Sequence, residues 1–412
     1  MVAASTLAAL TVLAGVQPAH ADDTPPAFGT LMTSPDRAAQ EYAGGMRTAM
    51  LELSWKSYEP RPGEFNTSYI SYKKSELRKL REAGLQVSIG LGMHYAPDWA
   101  KTIPNSAMVD QYGTKSSSVN LVFNRKLRDA ANKYMTRVDA DLGLENFYGL
   151  RVTSGGKSEL LYPGTGSYYA FDANAQGGAD LPSTMARNPM PGWKPGTLGT
   201  DPAKVLAWKN WYIGALVDVA RWQMGRASSL GFHGHYQMLM PGYGARPSAV
   251  TGAVNKGLPN GIVGIGAAWT EIAAAFKGRK DVTLFATGVA DNSGGNGICQ
   301  ATDASVPLAH QDTAYWSSAR WLTRIARENG LKVAGENPGY GMPEKMNSQY
   351  VNTSSTGMMA VAIAMATSCD FEAFYWAHDN RLFDGTVPFS LYSSRVKGAG
   401  GHNATLAWPS TV

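Results

Sequence analysis

Two glutamates carry the residue types and surroundings from which chemistry can be read. Glu159 lies in Ser158-Glu159-Leu160-Leu161-Tyr162-Pro163 and Glu336 in Ala334-Gly335-Glu336-Asn337-Pro338-Gly339. Each follows a short apolar run, Phe147 to Thr153 and Leu331 to Gly335, that reads as a buried strand. In a repeating strand–helix chain these runs count as the fourth and seventh strands. Carboxyl groups at the C-terminal ends of such strands converge on one cleft. A facing pair is what cleavage of a glycosidic bond requires: one protonated carboxyl assists the leaving oxygen, and one carboxylate attacks the sugar or activates water. A single glutamate after a strand is as readily an exposed loop residue or a helix-capping partner. Two at these positions favour catalysis.

The elements that must position the pair alternate along the chain. Strand-like runs are Phe28 to Met32, Arg47 to Leu53, Gln86 to Leu91, Phe147 to Thr153, His233 to Met240, Val282 to Ala290, Leu331 to Glu336 and Phe371 to Trp376. Helix-like stretches between them include Tyr72 to Ala83, stopped by Gly84, then Arg125 to Leu142, Ala203 to Leu230, Thr313 to Asn329 and Gly357 to Thr367. Eight strands with intervening helices are the count of a closed (β/α)8 barrel, an α/β fold of TIM type. A long stretch rich in Gly, Pro, Tyr and Asn, about residues 155 to 200, follows the fourth strand. Loops of that size tend to be functional. After Ala377 no strong closing helix is legible. With no linker and no repeat, residues 22–412 form one expected catalytic domain.

The 412 residues are 44% apolar and 17% charged, which is globular composition with material for a large core. The formal net charge is +5, but Lys and Arg are spread along the chain and no basic run is interleaved with aromatics. Nucleic acid is therefore not an expected partner. Residues 1–21 read as a signal peptide, with a short apolar region closing on an A-x-A site at Ala19-His20-Ala21. This predicts secretion, and no later segment has the length and apolarity of a membrane helix. Cys299 and Cys369 are the only cysteines. Export favours a disulfide between them. The strand assignment opposes it, placing Cys299 on the cleft side and Cys369 just before strand eight on the other side.

The segment Arg47-Thr48-Ala49-Met50-Leu51-Glu52-Leu53-Ser54-Trp55, continuing through Glu59-Pro60-Arg61-Pro62-Gly63-Glu64-Phe65, resembles the clan A glycoside hydrolases. It is most similar to the family 42 β-galactosidases, which carry W-x-x-x-E-P-x-x-G-x-[FY] after strand two; Pro97-Asp98-Trp99 extends the likeness. The resemblance implies Glu159 as acid/base at strand four and Glu336 as nucleophile at strand seven. It also implies Trp376 at the end of strand eight as a sugar platform, and Arg47 beside the nucleophile, favouring its ionised form. Two positions depart from that clan. Ser158 stands where an Asn precedes the acid/base glutamate, and strand six lacks a tyrosine found beside the nucleophile. Gly156-Lys157-Ser158-Glu159-Leu160-Leu161-Tyr162-Pro163 instead resembles the G-x-x-E-L-R-Y-P run of family 14 β-amylases, whose glutamate is the general acid and which invert the anomeric centre.

Further candidates for sugar contact are His94 after strand three, Asp98 and Trp99, Asp291 and Asn292 after strand six, and His378 beyond Trp376. Each has a plainer alternative: Asp98 as a helix cap, Asp291 and Asn292 as turn residues in Asp-Asn-Ser-Gly-Gly-Asn-Gly. Glu59, before Pro60, reads as structural. His233 and His235 lack partners at zinc-ligand spacing. The expectation is a secreted glycosidase acting on an oligo- or polysaccharide, retaining in preference to inverting, without metal or organic cofactor. The alternatives are an inverting β-amylase-like enzyme with Glu336 as general base, and a carbohydrate-binding barrel without catalysis.

Overall fold

Eight short apolar segments hydrogen-bond in parallel, each beside its neighbour in the chain, and the first and last close the ring. The computed structural model describes residues 24–164, 166–240, 242–341 and 344–409; the expected signal peptide, residues 1–21, lies outside the described residues. The strands are β1 (Ala27–Thr30), β2 (Thr48–Glu52), β3 (Gln86–Gly90), β4 (Gly149–Val152), β5 (His235–Met240), β6 (Val282–Ala286), β7 (Lys332–Glu336) and β8 (Ala373–Trp376). All eight coincide with the strands read from the sequence, and the architecture is a (β/α)8 barrel. A small antiparallel hairpin, Ala107–Val109 with Lys115–Val119, is added after β3 and was not foreseen.

Side chains alternate between barrel interior and surrounding helices, as the period of a strand requires. The interior holds Ala27, Met50, Tyr148, Leu239, Phe285, Ala334, Ala373 and Tyr375. At mid-height the Tyr375 hydroxyl meets Thr48 Oγ1 at 2.9 Å and Ser88 Oγ at 3.1 Å, so this buried polar group is satisfied. Below, Glu372 accepts hydrogen bonds from Thr283 and Tyr148. Residues near the C-terminus cover this lower end: Ala404 and Leu406 pack on the interior cluster, and His235 Nε2 lies 3.1 Å from the Ala407 carbonyl.

The outer helices begin where polar side chains cap them. Asn66 accepts from Tyr69 N at the start of α1 (Thr67–Glu82), and Asn124 from Leu127 N at the start of α2 (Arg125–Leu142). Asp201 and Pro202 open α3 (Pro202–Ser229). Ser317 caps α4 (Ser318–Asn329), which Gly330 terminates with φ 63°. After α5 (Met358–Ser368) the ring is completed by α6 (Phe389–Gly398), the closing helix that the sequence did not reveal. It is short, and only Tyr392 and Val396 are buried, so its periodic signal is weak. Among the described residues, no helix is long and apolar enough to cross a membrane.

The long segment after β4 has almost no regular structure, yet it is packed. Tyr162 stacks on Tyr212 of α3 at 4.0 Å, Trp208 stacks on the other side of Tyr212 at 5.0 Å, and Tyr168 and Trp193 meet Trp208 edge-on. These rings build an aromatic core beneath the loop. Burial of rings of this size fixes a chain that has few backbone hydrogen bonds of its own.

Cys299 and Cys369 are joined in a disulfide. The objection to this pairing assumed that the segment after β6 stays at the cleft. It leaves the cleft at Gly297, whose carbonyl accepts from Ser317, and runs along the outside of α4. There Arg320 holds Asp303, and Arg324 donates to the Val306 carbonyl. That path brings Cys299 to Cys369 at the foot of α5.

Candidate active site

Inward-facing positions at the C-terminal ends of the strands are where a barrel assembles a site. Met50 faces inward on β2, so Glu52, two residues on, does too; by the same parity Arg151 of β4 and Glu336 of β7 project into the mouth. The Arg151 guanidinium donates from Nη2 to Glu336 Oε2 at 2.6 Å and lies over the Phe285 ring at 5.0 Å from its centroid. Both side chains are buried, with 7% and 14% of their surface exposed. A buried pair of this kind keeps charge on the carboxylate only because the guanidinium bonds it directly.

Glu159 reaches the same place by a different route. It does not end β4 but sits in a loop that turns back over the barrel. Thr153 donates to the Lys157 carbonyl and Ser154 to the Leu161 carbonyl, while Ser154 Oγ accepts from Leu161 N at 3.2 Å. Leu160 N then donates to the carbonyl of Leu239 on β5 at 3.0 Å. Gly155 takes φ 85° at the turn, against Leu121. The loop is thereby pinned at both ends, and Thr287, just after β6, donates to Glu159 Oε1 at 3.1 Å.

The two carboxyls differ in electrostatic setting. Burial pushes Glu159 above its ordinary pKa, the charge of Glu336 pushes it further, and the Thr287 hydrogen bond opposes both. Burial also raises Glu336, but Arg151 pulls against it through charge and hydrogen bond. Glu159 thus has a hydroxyl for a partner and Glu336 an arginine, and the arginine favours the charged form on Glu336.

The cleft in front of Glu336 has a volume of ≈ 360 Å³ and is lined by Leu31, Tyr243, Thr287, Asp291, Asn337, Gly339 and His378 among others. His378 and Asp291 of the expected sugar contacts lie there. The His378 imidazole packs so closely on Gly339 that a Cβ at that glycine would come within 2.7 Å of Nε2. His94 stands near Arg151; burial and that charge lower its pKa to about 4, so its ring is neutral.

Other expected contacts are placed elsewhere. Arg47 precedes β2 and lies at the opposite end of the barrel from Glu52, roughly 16 Å away along an extended strand. Its guanidinium donates to the carbonyls of Tyr42, Met46 and His402. The arginine beside Glu336 is Arg151 instead. Trp376 is fully buried and faces outward, against Tyr350 and Tyr392. Tyr375 takes the inward position on β8, so parity denies Trp376 the cleft. Trp99 donates from its indole to the Glu59 carbonyl at 3.0 Å and meets Trp55 edge-on. Trp55 Nε1 in turn donates to Glu59 Oε2, and Gly63 N to Glu59 Oε1, so the Trp55-to-Gly63 motif is a structural knot. Asp98 is exposed and paired with Lys56 and Lys101. Asn292 is a turn residue, φ 69°, bonded to Asn296.

Arg151, Glu52, Thr287 and Tyr243 had no assigned role from sequence. A readable signal existed for the first: a charged residue inside Gly149-Leu150-Arg151-Val152, a strand buried along its whole length.

The sequence matches no protein-family model, and no curated protein matches it. Its fold is similar to that of the catalytic domain of β-amylase from Paenibacillus polymyxa, with TM-score 0.54 and 15% identity over 94% of this chain and 100% of that one. It is also similar to β-galactosidase from the psychrophilic Marinomonas ef1, with TM-score 0.50 and 12% identity over 92% of this chain and 61% of that one. The chain thus shares its fold with a β-amylase and a β-galactosidase.

Proposed function

We propose that this chain is a glycoside hydrolase whose residues 22–412 form one catalytic domain. The observation that carries the reading is the unequal carboxyl pair: Glu336, held by Arg151 at 2.6 Å, facing the mouth into which a pinned loop delivers Glu159. Glu159 protonates the leaving oxygen through Oε2, since Thr287 occupies Oε1. Glu336 attacks the anomeric carbon through Oε1, since Arg151 occupies Oε2. The glycosyl–Glu336 ester is then hydrolysed by water, from which Glu159, now a carboxylate, takes the proton. His378 and Asp291 line the sugar pocket. The substrate is an oligo- or polysaccharide, and both similar structures are named for carbohydrate-cleaving enzymes. The disulfide supports secretion after removal of residues 1–21.

A second reading, inversion with Glu336 as general base, draws support from the β-amylase-like Gly156-to-Pro163 run and from the full-length superposition on a β-amylase. The test is a screen of aryl-glycosides and polysaccharides, with the anomer of the first product followed by NMR. Retention of configuration supports the covalent route, and inversion selects the second reading. Glu336→Gln is expected to lower kcat by about 10³-fold or more with unchanged circular dichroism. Near-normal turnover in that variant would refute the assignment.

A further inference from the structure

We propose that Glu52 is a positioning residue, kept uncharged in the working site so that the single guanidinium of Arg151 is committed to Glu336. The inference rests on the glycosidase reading above and adds to it a third carboxyl with a separate duty. Glu52 closes β2 and pairs in register with Gly90 of β3. Its carboxyl fills the space in which a side chain at position 90 would stand: a Cβ built on Gly90 falls 1.8 Å from Glu52 Oε2. The glycine is thus the complement of the glutamate, and together they place a carboxyl on the inner wall near Arg151.

Two carboxyls, Glu52 and Glu336, share that one arginine. Arg151 is already bonded through Nη2 to Glu336, and its Nε has no hydrogen-bond partner among the described residues. A second negative charge at Glu52 would draw the guanidinium toward β2 and repel Glu336 in a poorly solvated mouth. The other groups around Glu52 do not neutralise it. Lys73 on α1 is bonded to Glu76 at 2.9 Å, and Tyr69, Tyr95 and Tyr134 are un-ionised phenols whose pKa values are all raised. His94, near the same arginine, is neutral. Burial is the largest influence on Glu52 and, against the pull of Arg151, brings it to about 7. Below that pH the group is a neutral carboxylic acid packed against Gly90.

The test combines a titration that needs no substrate with a comparison of variants. Protein labelled with 13C at the glutamate carboxyls is titrated by NMR, and Glu52→Gln identifies its resonance. A midpoint near 7 is expected; a midpoint near the ordinary value of about 4.3 overturns the proposal. In turnover, Glu52→Ala, which leaves Arg151 a gap to move into, is expected to lose about tenfold in kcat and to shift the acid limb of its pH profile upward. Glu52→Gln, a copy of the uncharged acid, is expected to restore both to within about threefold of the unaltered enzyme. Failure of Gln to rescue means that the charge of Glu52 is needed, and it too overturns the proposal. If the unaltered protein cleaves no glycoside, the glycosidase reading fails while the NMR titration still decides the state of Glu52.

Discussion

Arg151 crosses the barrel mouth from β4 to bond Glu336 on β7, two strands that are not neighbours in the sheet. The bond therefore ties opposite walls of the barrel and sets the charge of the carboxylate at the same time. Replacing Arg151 with Met leaves a buried carboxyl without its cation. The expected result is a loss of stability of about 3–5 kcal/mol, the range for breaking one side of a buried pair. Because Arg151 acts to lower the pKa of Glu336, its removal raises that pKa further, and the acid limb of kcat/KM moves to higher pH. Thermal unfolding and a pH–rate profile measure the two effects. An unmoved acid limb would separate Arg151 from the ionisation of Glu336.

Two aromatic residues near the mouth divide between stability and binding. Trp376 has no exposed surface and packs on Tyr350 and Tyr392, whereas Tyr243 is 57% exposed and lines the cleft. Trp376→Ala is expected to cost about 3–5 kcal/mol of stability through the cavity it leaves. Tyr243→Ala is expected to leave the melting temperature within a few degrees while raising KM several-fold, through loss of a ring that can stack on sugar. Calorimetry and substrate saturation curves check the division. A Trp376 variant that lost only sugar affinity would contradict the outward orientation.

A third prediction concerns pH and a carboxyl outside the site. Glu41 accepts a hydrogen bond from Thr30 at 2.7 Å, yet burial, the dominant influence, raises it to about 7, with nearby Asp379 adding to the rise. Its unfolded value is about 4.3. The unfolded chain thus gives up this proton at lower pH than the folded one. The stabilisation from Glu41 is fully present below about 4.3, declines as pH rises, and is gone above about 7. The whole swing is on the order of 3–4 kcal/mol. Glu41→Gln should flatten the fall in stability between about pH 4 and about 7 relative to the unaltered protein. The same slope in both proteins, measured by urea unfolding at several pH values, would exclude this role.

The barrel was legible because its strands are buried on both faces and read as uninterrupted apolar runs between helical stretches. Residues at strand ends were harder, because there a shift of one position exchanges cleft for helix layer. Trp376 and Tyr375 show this: the larger ring looked like a platform, but Tyr375 bonds to Thr48 and Ser88 inside, and Trp376 must then point out. Arg47 was matched by its place in a motif, and that motif turns out to organise the turn around Glu59 rather than the cleft. The aromatic loop and the disulfide depend on where long irregular segments travel, and local sequence does not record a path fixed by distant rings such as Tyr212 and Trp208.

The link between Cys299 and Cys369 closes a covalent ring that contains all of β7, and with it Glu336. A protease that cuts the backbone anywhere between those two cysteines leaves both fragments on one molecule. Such a nicked chain would migrate intact without reductant and split into two pieces with it. The strand that carries Glu336 is therefore anchored against release by a single cleavage.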